Sequence, residues 1–248
     1  MSGHSKWASI KHKKAAADAK RGQIFTKIIR EITVAAKNGG GDPNTNPRLR
    51  TAIQTAKTAN MPSDNIERAL KKGTGELEGV TYEEVQYEGF GPQGVAILVH
   101  CLTDNKNRTA SEIRNIFSKN NGAMEGAGSV AWMFEKKGFI GVSKQKISED
   151  ALMEIILASG AEDMSPSGDQ FEITSDPHDF EAIRQSLEKA KIPMESAQVM
   201  MIAKNQVEIS ADNARHLLKL TDALEAHEDV QHVSVNCEIP DEVMKEIS

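Results

Sequence analysis

The sequence lacks the features that mark several classes of protein. It has 2 cysteines in 248 residues, Cys101 and Cys237, which are too few for a disulfide scaffold and lack the spacing of a zinc site. Its longest apolar run, residues 94–102, is far shorter than the roughly 18 residues that a membrane-spanning helix needs. The N-terminal residues include no apolar stretch of the kind found in secretory signals. These absences predict a reduced, cytoplasmic protein that does not enter a membrane.

Motifs for catalysis are also missing. Residues 89–94 match G-x-G-x-x-G, but they join two predicted strands and include Pro92, so they indicate a hairpin turn and not a dinucleotide site. His227 and His232 resemble H-E-x-x-H, but at this spacing they would lie about 140° apart around a helix and could not share a zinc ion. We therefore expect a protein that is not an enzyme and that has no cofactor, no metal and no small-molecule substrate.

Charge is unevenly distributed along the chain. The net charge is −6, yet residues 1–75 carry 15 Lys and Arg against 5 Asp and Glu, a balance of +10. The remaining residues carry 15 basic against 31 acidic side chains, a balance of −16. This asymmetry indicates a basic module that binds a polyanion and is attached to an acidic body. A solvated lysine-rich face without a partner is the alternative.

Glycine and proline divide the basic segment into helices. Residues 7–21 are rich in alanine and basic residues, show little apolar periodicity, and are expected to become ordered on a partner. Apolar residues then recur at helical spacing over residues 24–37. Pro47 predicts the first turn of a second helix, and residues 61–64 predict the start of a third that ends before Gly73 as its C′ residue. Together these helices would form a small bundle.

From Tyr82 onward the apolar pattern changes to that of strands and helices in alternation. Strands are predicted at residues 82–88, 94–103 and 129–134, with a helix opened by a capping box at residues 109–112. The next run, from residue 139 to residue 202, has the β-α-β-β-α-β order of a ferredoxin-like fold. A last helix and strand follow it. The pieces on either side of this run do not close a sheet alone, so one α/β domain is expected to interrupt another.

The predicted fold is therefore α+β, with an N-terminal small helical bundle followed by two ferredoxin-like α/β domains, the second inserted into the first. The bundle is assigned to residues 1–78. The discontinuous α/β domain takes residues 79–136 and 205–248, and the inserted domain takes residues 137–204. Cys101 and Cys237 fall in apolar strands of the discontinuous domain and are expected to be structural thiols.

Basic side chains in two stretches are candidates for phosphate contacts. The first runs from Lys6 to Lys72, where Trp7 and Phe25 are the only aromatic residues, so backbone contacts with little sequence specificity are expected. The second is the polar loop at residues 103–109, for which turn formation and helix capping are an equally good explanation. The predicted nucleic-acid-binding residues are Lys6, Trp7, Lys11, His12, Lys13, Lys14, Lys20, Arg21, Lys27, Arg30, Arg48, Arg50, Arg68, Lys71, Lys72, Lys106 and Arg108.

Several motifs resemble those of the YebC/PmpR family. They are dense over about the first 140 residues, and the remainder is similar in the order of its elements. The motifs are Gly3-His4-Ser5-Lys6-Trp7, Asp18-Ala19-Lys20-Arg21-Gly22, Gly39-Gly40-Gly41-Asp42-Pro43, Asn60-Met61-Pro62, Tyr87-Glu88-Gly89-Phe90-Gly91-Pro92, Thr103-Asp104-Asn105-Lys106-Asn107-Arg108-Thr109 and Gly128-Ser129-Val130-Ala131-Trp132-Met133-Phe134.

The resemblance implies a helical N-terminal domain, two α/β domains and a non-enzymatic, cytoplasmic role in gene expression. Bacterial members are described as probable DNA-binding transcriptional regulators, whereas a mitochondrial member is a translational activator and others are connected with ribosomes and stalled peptide synthesis. DNA and ribosomal RNA both remain open as the partner, because both are phosphate polyanions. The lack of a clear helix-turn-helix and the acidic body favour RNA, and the description of the family favours DNA.

Overall fold

A computed structural model describes residues 18–240 and residue 243, with side chains from residue 22 onward. Helices at the N-terminus precede two antiparallel sheets that carry further helices, which confirms the predicted α+β class. The elements are α1 (Asp18–Gly39), α2 (Pro47–Thr58), α3 (Ser63–Thr74), β1 (Glu83–Phe90), β2 (Ala96–Thr103), α4 (Lys106–Lys119), β3 (Ala123–Glu125), β4 (Phe134–Ser143), α5 (Glu149–Leu157), β5 (Ala161–Ser167), β6 (Gln170–Ser175), α6 (Phe180–Lys189), β7 (Met194–Ala203), β8 (Val207–Glu208), α7 (Ala211–Glu225), β9 (Val230–Val235) and β10 (Cys237–Glu238).

In the helical bundle, α1 packs against both α2 and α3 around an apolar core that includes Ile32, Leu49 and Ala69. The start of α2 agrees with the sequence, since Pro47 occupies the first turn and the Asn46 side chain accepts a hydrogen bond from the backbone N–H of Leu49 at 3.1 Å. Packing of these amphipathic faces is what stabilises such short helices.

Two predicted helix ends in the bundle are wrong. Helix α1 begins at Asp18 and continues through Gly22, which the sequence placed between two segments. Gly73 lies inside α3, and Gly75, with a φ of 83°, is the left-handed residue that ends the helix. Gly73 instead permits close packing of α3 on α1, because a Cβ atom there would lie 2.5 Å from the carbonyl oxygen of Thr33.

The first sheet has the strand order β3-β1-β2-β9 and is antiparallel. Strands β1, β2 and β3 precede the second sheet in the sequence and β9 follows it, so β9 pairs with β2 across more than a hundred intervening residues. One face packs against α4 and α7 in a core that includes Ile97, Val99, Phe117 and Leu217. This pairing confirms that one α/β unit is interrupted by another.

The second sheet has the strand order β5-β6-β4-β7, with α5 and α6 packed on one face. The chain runs β4-α5-β5-β6-α6-β7, which is the predicted ferredoxin-like order. Phe171, Ile173, Ile183 and Leu187 belong to its core. The first sheet and the second therefore have separate apolar cores.

Two elements predicted in the region from β2 to β4 need correction. Residues 129–134, predicted as a strand, form a 3-10 turn at Ala131–Met133 before β4 begins at Phe134. Helix α4 begins at Lys106, three residues before the predicted capping box, because the Asn105 side chain caps it by accepting from the backbone N–H of Arg108 at 3.1 Å. Apolar and polar spacing alone does not distinguish the first turn of a helix from its second, so the start of α4 was misplaced.

The turn at residues 89–94 is the predicted hairpin between β1 and β2. Gln93 and Gly94 adopt left-handed backbone conformations with φ of 59° and 74°.

Both cysteines are buried and free, and burial raises the pKa of each thiol, Cys101 and Cys237, to about 12, so neither forms a thiolate near neutral pH. No helix within residues 18–240 is both long and apolar enough to cross a membrane.

Candidate nucleic-acid interface

The structure divides the predicted phosphate-contacting residues into three groups. The first group lies outside the described residues and comprises Lys6, Trp7, Lys11, His12, Lys13 and Lys14. Lys20 and Arg21 lie in the first turn of α1, and their side chains are outside the described part of the chain. The remaining residues have described side chains, and these separate into cations that hold the domains together and cations that face solvent.

Arg30 belongs to the joint between the bundle and the first sheet. Its guanidinium pairs with the carboxylate of Asp229, donates to the carbonyl oxygen of Leu102 at 3.4 Å and lies 5.3 Å from the ring centroid of Tyr82. The residue is only 8% exposed. Arg30, which the sequence analysis predicts to bind nucleic acid, is therefore buried in an ion pair and not presented to solvent, because its side of α1 faces the α/β layer.

Asp229 accepts hydrogen bonds from three side chains on two helices, α1 and α4. Besides Arg30, Arg108 donates to its second oxygen at 2.8 Å and the Thr109 hydroxyl donates to the same oxygen at 2.6 Å. Burial alone would raise the pKa of Asp229, but the hydrogen bonds from Thr109 and Arg108 and the charge of Arg30 hold it below its ordinary value. Lys27 strengthens this joint by donating to the carbonyl oxygen of Glu225 at 2.6 Å.

At the same joint, a cluster of two carboxylates and one imidazole has the spacing of a metal site, but guanidinium cations already bind one of its carboxylates. Ligand atoms of Glu112, His227 and Asp229 lie within 4.8 Å of one another. The imidazole Nε2 of His227 is 2.7 Å from a Glu112 oxygen, and both oxygens of Asp229 face guanidinium groups. Two guanidinium cations on one carboxylate oppose a third cation, so we assign this cluster to the domain joint.

Arg48 forms a second contact between the bundle and the first sheet. It donates to Glu31 within the bundle at 2.6 and 3.1 Å and to Glu84 at the start of β1 at 2.9 Å. Glu84 also lies 2.7 Å from Nε2 of His100. The hydrogen bond from His100 and the bond and charge of Arg48 outweigh the effect of burial and lower the pKa of Glu84 to about 2.

Arg50 connects the bundle to the inserted sheet domain. Its Nε atom lies 3.4 Å from a carboxylate oxygen of Glu181 at the start of α6. The main partner of Glu181 is Arg184, one helical turn further along α6, at 2.7 and 2.9 Å. Arg30, Arg48 and Arg50 therefore hold the bundle against both α/β layers, a role that the sequence did not indicate.

Other cations of the bundle are exposed to solvent, and we call the surface that carries them its outer side. Lys57 at the end of α2 and Arg68 and Lys72 on α3 are exposed, and within residues 22–240 none of them pairs with a carboxylate. Arg68 and Lys72 are four residues apart and so share one helix face. Lys71 pairs with Glu67 at 2.6 Å, and Lys106 pairs with Glu83. Lys57 and the exposed Lys37 were missed as candidates, although both are polar positions beside the apolar face of their helices.

Three comparisons place this architecture among known proteins. Residues 5–76 match a family described as the TACO1/YebC protein N-terminal domain, and residues 82–237 match one described as the TACO1/YebC second and third domain. A probable transcriptional regulatory protein of Desulforapulum autotrophicum is 58% identical over 98% of both chains, and one of Geobacter sulfurreducens is 56% identical over 100% of both. The crystal structure of a conserved hypothetical protein from Aquifex aeolicus superposes with a TM-score of 0.85, at 49% identity over 94% of this chain and 97% of the other.

Proposed function

Because the chain belongs to the TACO1/YebC family, we propose that it is a non-enzymatic regulator of gene expression that binds nucleic acid through its N-terminal bundle. The observation that carries the proposal is the outer face of the bundle, where Lys57, Arg68 and Lys72 are exposed and form no ion pair with a carboxylate among the described residues. Exposed cations of this kind make phosphate contacts, which position a nucleic acid without reading its sequence.

The distribution of charge supports the same face. Residues 1–75 have a balance of +10, whereas the rest of the chain has a balance of −16. The arginines on the inner side of the bundle contribute to that balance but are paired with Asp229, Glu84 and Glu181. A polyanion is therefore attracted to the outer side of the bundle and repelled by the α/β body.

The carboxylates that would serve a catalytic site have structural partners, which supports a non-enzymatic role. Asp229 and Glu84 are held in ion pairs between domains. Glu88, the buried carboxylate of β1, accepts three backbone hydrogen bonds. A general base needs a free lone pair beside its substrate, and the carboxylates of these groups are already bound by guanidinium groups, an imidazole or backbone N–H groups.

Replacing the three outward cations tests the proposal. The triple variant Lys57→Gln, Arg68→Gln and Lys72→Gln should make the dependence of log affinity on log salt shallower by about 2 to 3, since each phosphate contact contributes about 0.7 to 0.9. The matched control removes the same charge from the inserted domain, at the exposed residues Lys146, Lys189 and Lys191. Affinity can be measured by fluorescence anisotropy with labelled RNA and DNA. Equal losses in the two triple variants would contradict the proposed face.

The name of the relatives favours control of transcription, whereas one feature of the bundle favours RNA and control of translation. A recognition helix places its N-terminal residues against base edges in the major groove. Helix α3 begins with Asp64 and Glu67 on its exposed surface, and these carboxylates would approach the phosphates of a duplex. Sedimentation of the native protein from lysate, with and without RNase, distinguishes control of translation from control of transcription. RNase-sensitive migration with ribosomes would support translation, and its absence together with a promoter footprint would support transcription.

A further inference from the structure

The loop between β3 and β4 is anchored by a buried carboxylate. Glu88 in β1 is 5% exposed and accepts hydrogen bonds from the backbone N–H groups of Gly128 at 2.7 Å, Val130 at 2.6 Å and Ala131 at 2.8 Å. Burial by itself raises the pKa of Glu88, but the three N–H donors outweigh that effect and hold it below its ordinary value. The carboxylate is therefore ionised near neutral pH and holds the loop at three backbone positions.

This anchored loop presents a tryptophan to solvent. Trp132 is 64% exposed, while Val130 and Phe134 on either side of it are buried against Leu98 of the first sheet. The indole Nε1–H donates to the carbonyl oxygen of Ser129 at 3.1 Å, which orients the ring. A large aromatic group usually lies in the core, because exposing it forfeits the free energy of burying its apolar surface. The fold gives no packing reason for this one to face outward.

A lysine contacts the backbone of Trp132. The Nζ atom of Lys204, at the end of β7, donates to the carbonyl oxygen of Trp132 at 3.0 Å, and its backbone N–H donates to the carbonyl oxygen of Met133 at 2.9 Å. An ammonium group has three N–H donors, so two remain for a ligand. The nearby charge of Glu135 is opposed by Lys137 at 3.7 Å. The ammonium group of Lys204 is thus bonded to the backbone of the same residue whose indole faces solvent.

We propose that Trp132 and Lys204 form a platform for an unpaired nucleotide, in which a base stacks on the indole and its phosphate pairs with the ammonium group. The inference rests on the proposed nucleic-acid function and adds the class of ligand. Because the indole N–H is already bonded to Ser129, the ring offers only its π faces, which stack on any base without reading its edge. Bases inside a duplex have both faces covered by neighbours, so the platform selects single strands and loops.

The platform and the bundle lie on the same side of the first sheet. Glu84 binds Arg48 of the bundle, and Glu88 anchors the loop. Both glutamates point to one face of β1, because alternate residues of a strand share a face, and they are separated by about 13 Å along the strand. A single strand of nucleic acid that contacts the bundle can therefore approach the platform without crossing the sheet.

The test compares single-stranded and double-stranded ligands in the full chain. Trp132→Ala should lower the affinity for a short labelled oligouridine about 5- to 150-fold, the range measured for loss of one stacked base, and leave the affinity for a blunt duplex of the same length unchanged. Trp132→Phe should restore part of the loss. Oligouridine should quench tryptophan fluorescence in the unmodified chain by more than in Trp132→Phe. Lys204→Gln should make the salt dependence on single strands shallower by about 0.7.

Leu157→Ala is the matched control, since Leu157 on α5 is also 64% exposed and lies in the inserted domain. It should bind every ligand with unchanged affinity. If Trp132→Ala binds oligouridine as tightly as the unmodified chain does, the stacking platform is wrong while the proposed function stands, and the indole then belongs to a protein contact. Equal weakening on the duplex would also overturn the selectivity for unpaired bases. Failure of the unmodified chain to bind either ligand would overturn the proposed function itself.

Discussion

Arg30 and Arg68 lie in the same helical bundle, and their guanidinium groups have opposite surroundings. Arg30 is buried between α1 and the first sheet and shares the carboxylate of Asp229 with Arg108. Arg68 is exposed on α3 and forms no ion pair in the described part of the chain. The bundle therefore has an inner side whose cations bind the protein itself and an outer side whose cations remain for a polyanion. The net charge of the segment does not distinguish the paired cations of the inner side from the exposed cations of the outer side.

Removing the inner cation should have the largest effect on stability. Arg30→Ala leaves Asp229, whose side chain is 2% exposed, with less compensating charge in a buried site, and loss of one partner of a buried ion pair costs about 3 to 5 kcal/mol. We expect the lower end of that range, because Arg108 and Thr109 still bind the carboxylate. Urea denaturation followed by circular dichroism measures the change. Arg68→Ala is the control and should lie within about 0.5 kcal/mol of the unmodified chain.

Reversing charge in the N-terminal segment should have the largest effect on binding without affecting the fold. Replacing Lys13, Lys14, Lys20 and Arg21 together by Glu should weaken binding to all sequences alike by about 100-fold or more at moderate salt, because phosphate contacts carry no sequence information. Anisotropy titrations over a range of salt concentrations, with circular dichroism as the check on folding, measure both effects. An unchanged affinity and salt slope would remove this segment from the interface and leave the exposed cations Lys57, Arg68 and Lys72 as its candidates.

The contact between the bundle and the inserted domain should be weaker. Arg50→Gln removes one cation from Glu181, but Arg184 remains on that carboxylate, so the free energy of unfolding should fall by about 0.5 to 1 kcal/mol. Hydrogen exchange should show faster opening of α2 and α6 with little change in α4. A loss as large as that of Arg30→Ala would mean that the inner side of the bundle is one continuous network and not a set of separate contacts.

The smallest effect is expected at Glu84 and is visible in acid. The folded-state pKa of Glu84 is about 2, below its unfolded value of about 4.5, so the ionised form stabilises the fold above the unfolded pKa. That contribution is lost as the pH falls from about 4.5 toward about 2. Because this side chain is 42% exposed, solvent screens the pair, and Glu84→Gln should flatten the acid limb of the stability curve by less than about 1 kcal/mol. If Glu84→Gln and the unmodified chain lose stability in acid by the same amount, the ion pair between Arg48 and Glu84 does not stabilise the fold.

The order of elements could be predicted from the sequence, and several of their ends could not. The β-α-β-β-α-β run and the hairpin at residues 89–94 are confirmed because apolar alternation and turn residues are local signals. The end of α3 was misplaced at Gly73, which packs closely on α1, whereas Gly75 has the left-handed conformation. The domain boundaries and the phosphate-contacting residues stay predictions.

The order of the main helices and strands, the interruption of one α/β unit by another, and the concentration of positive charge in the first third of the chain follow from local patterns in the sequence. Only the tertiary structure decided which cations are available to a ligand. Arg30 meets a carboxylate 199 residues away, and Arg48 meets one 36 residues away. Periodicity in the sequence shows which face of a helix is apolar. Whether a charged side chain on the polar face is paired depends on which distant element packs against that face. The same holds for Trp132, because a carboxylate 40 residues or more earlier in the chain fixes the loop that presents it.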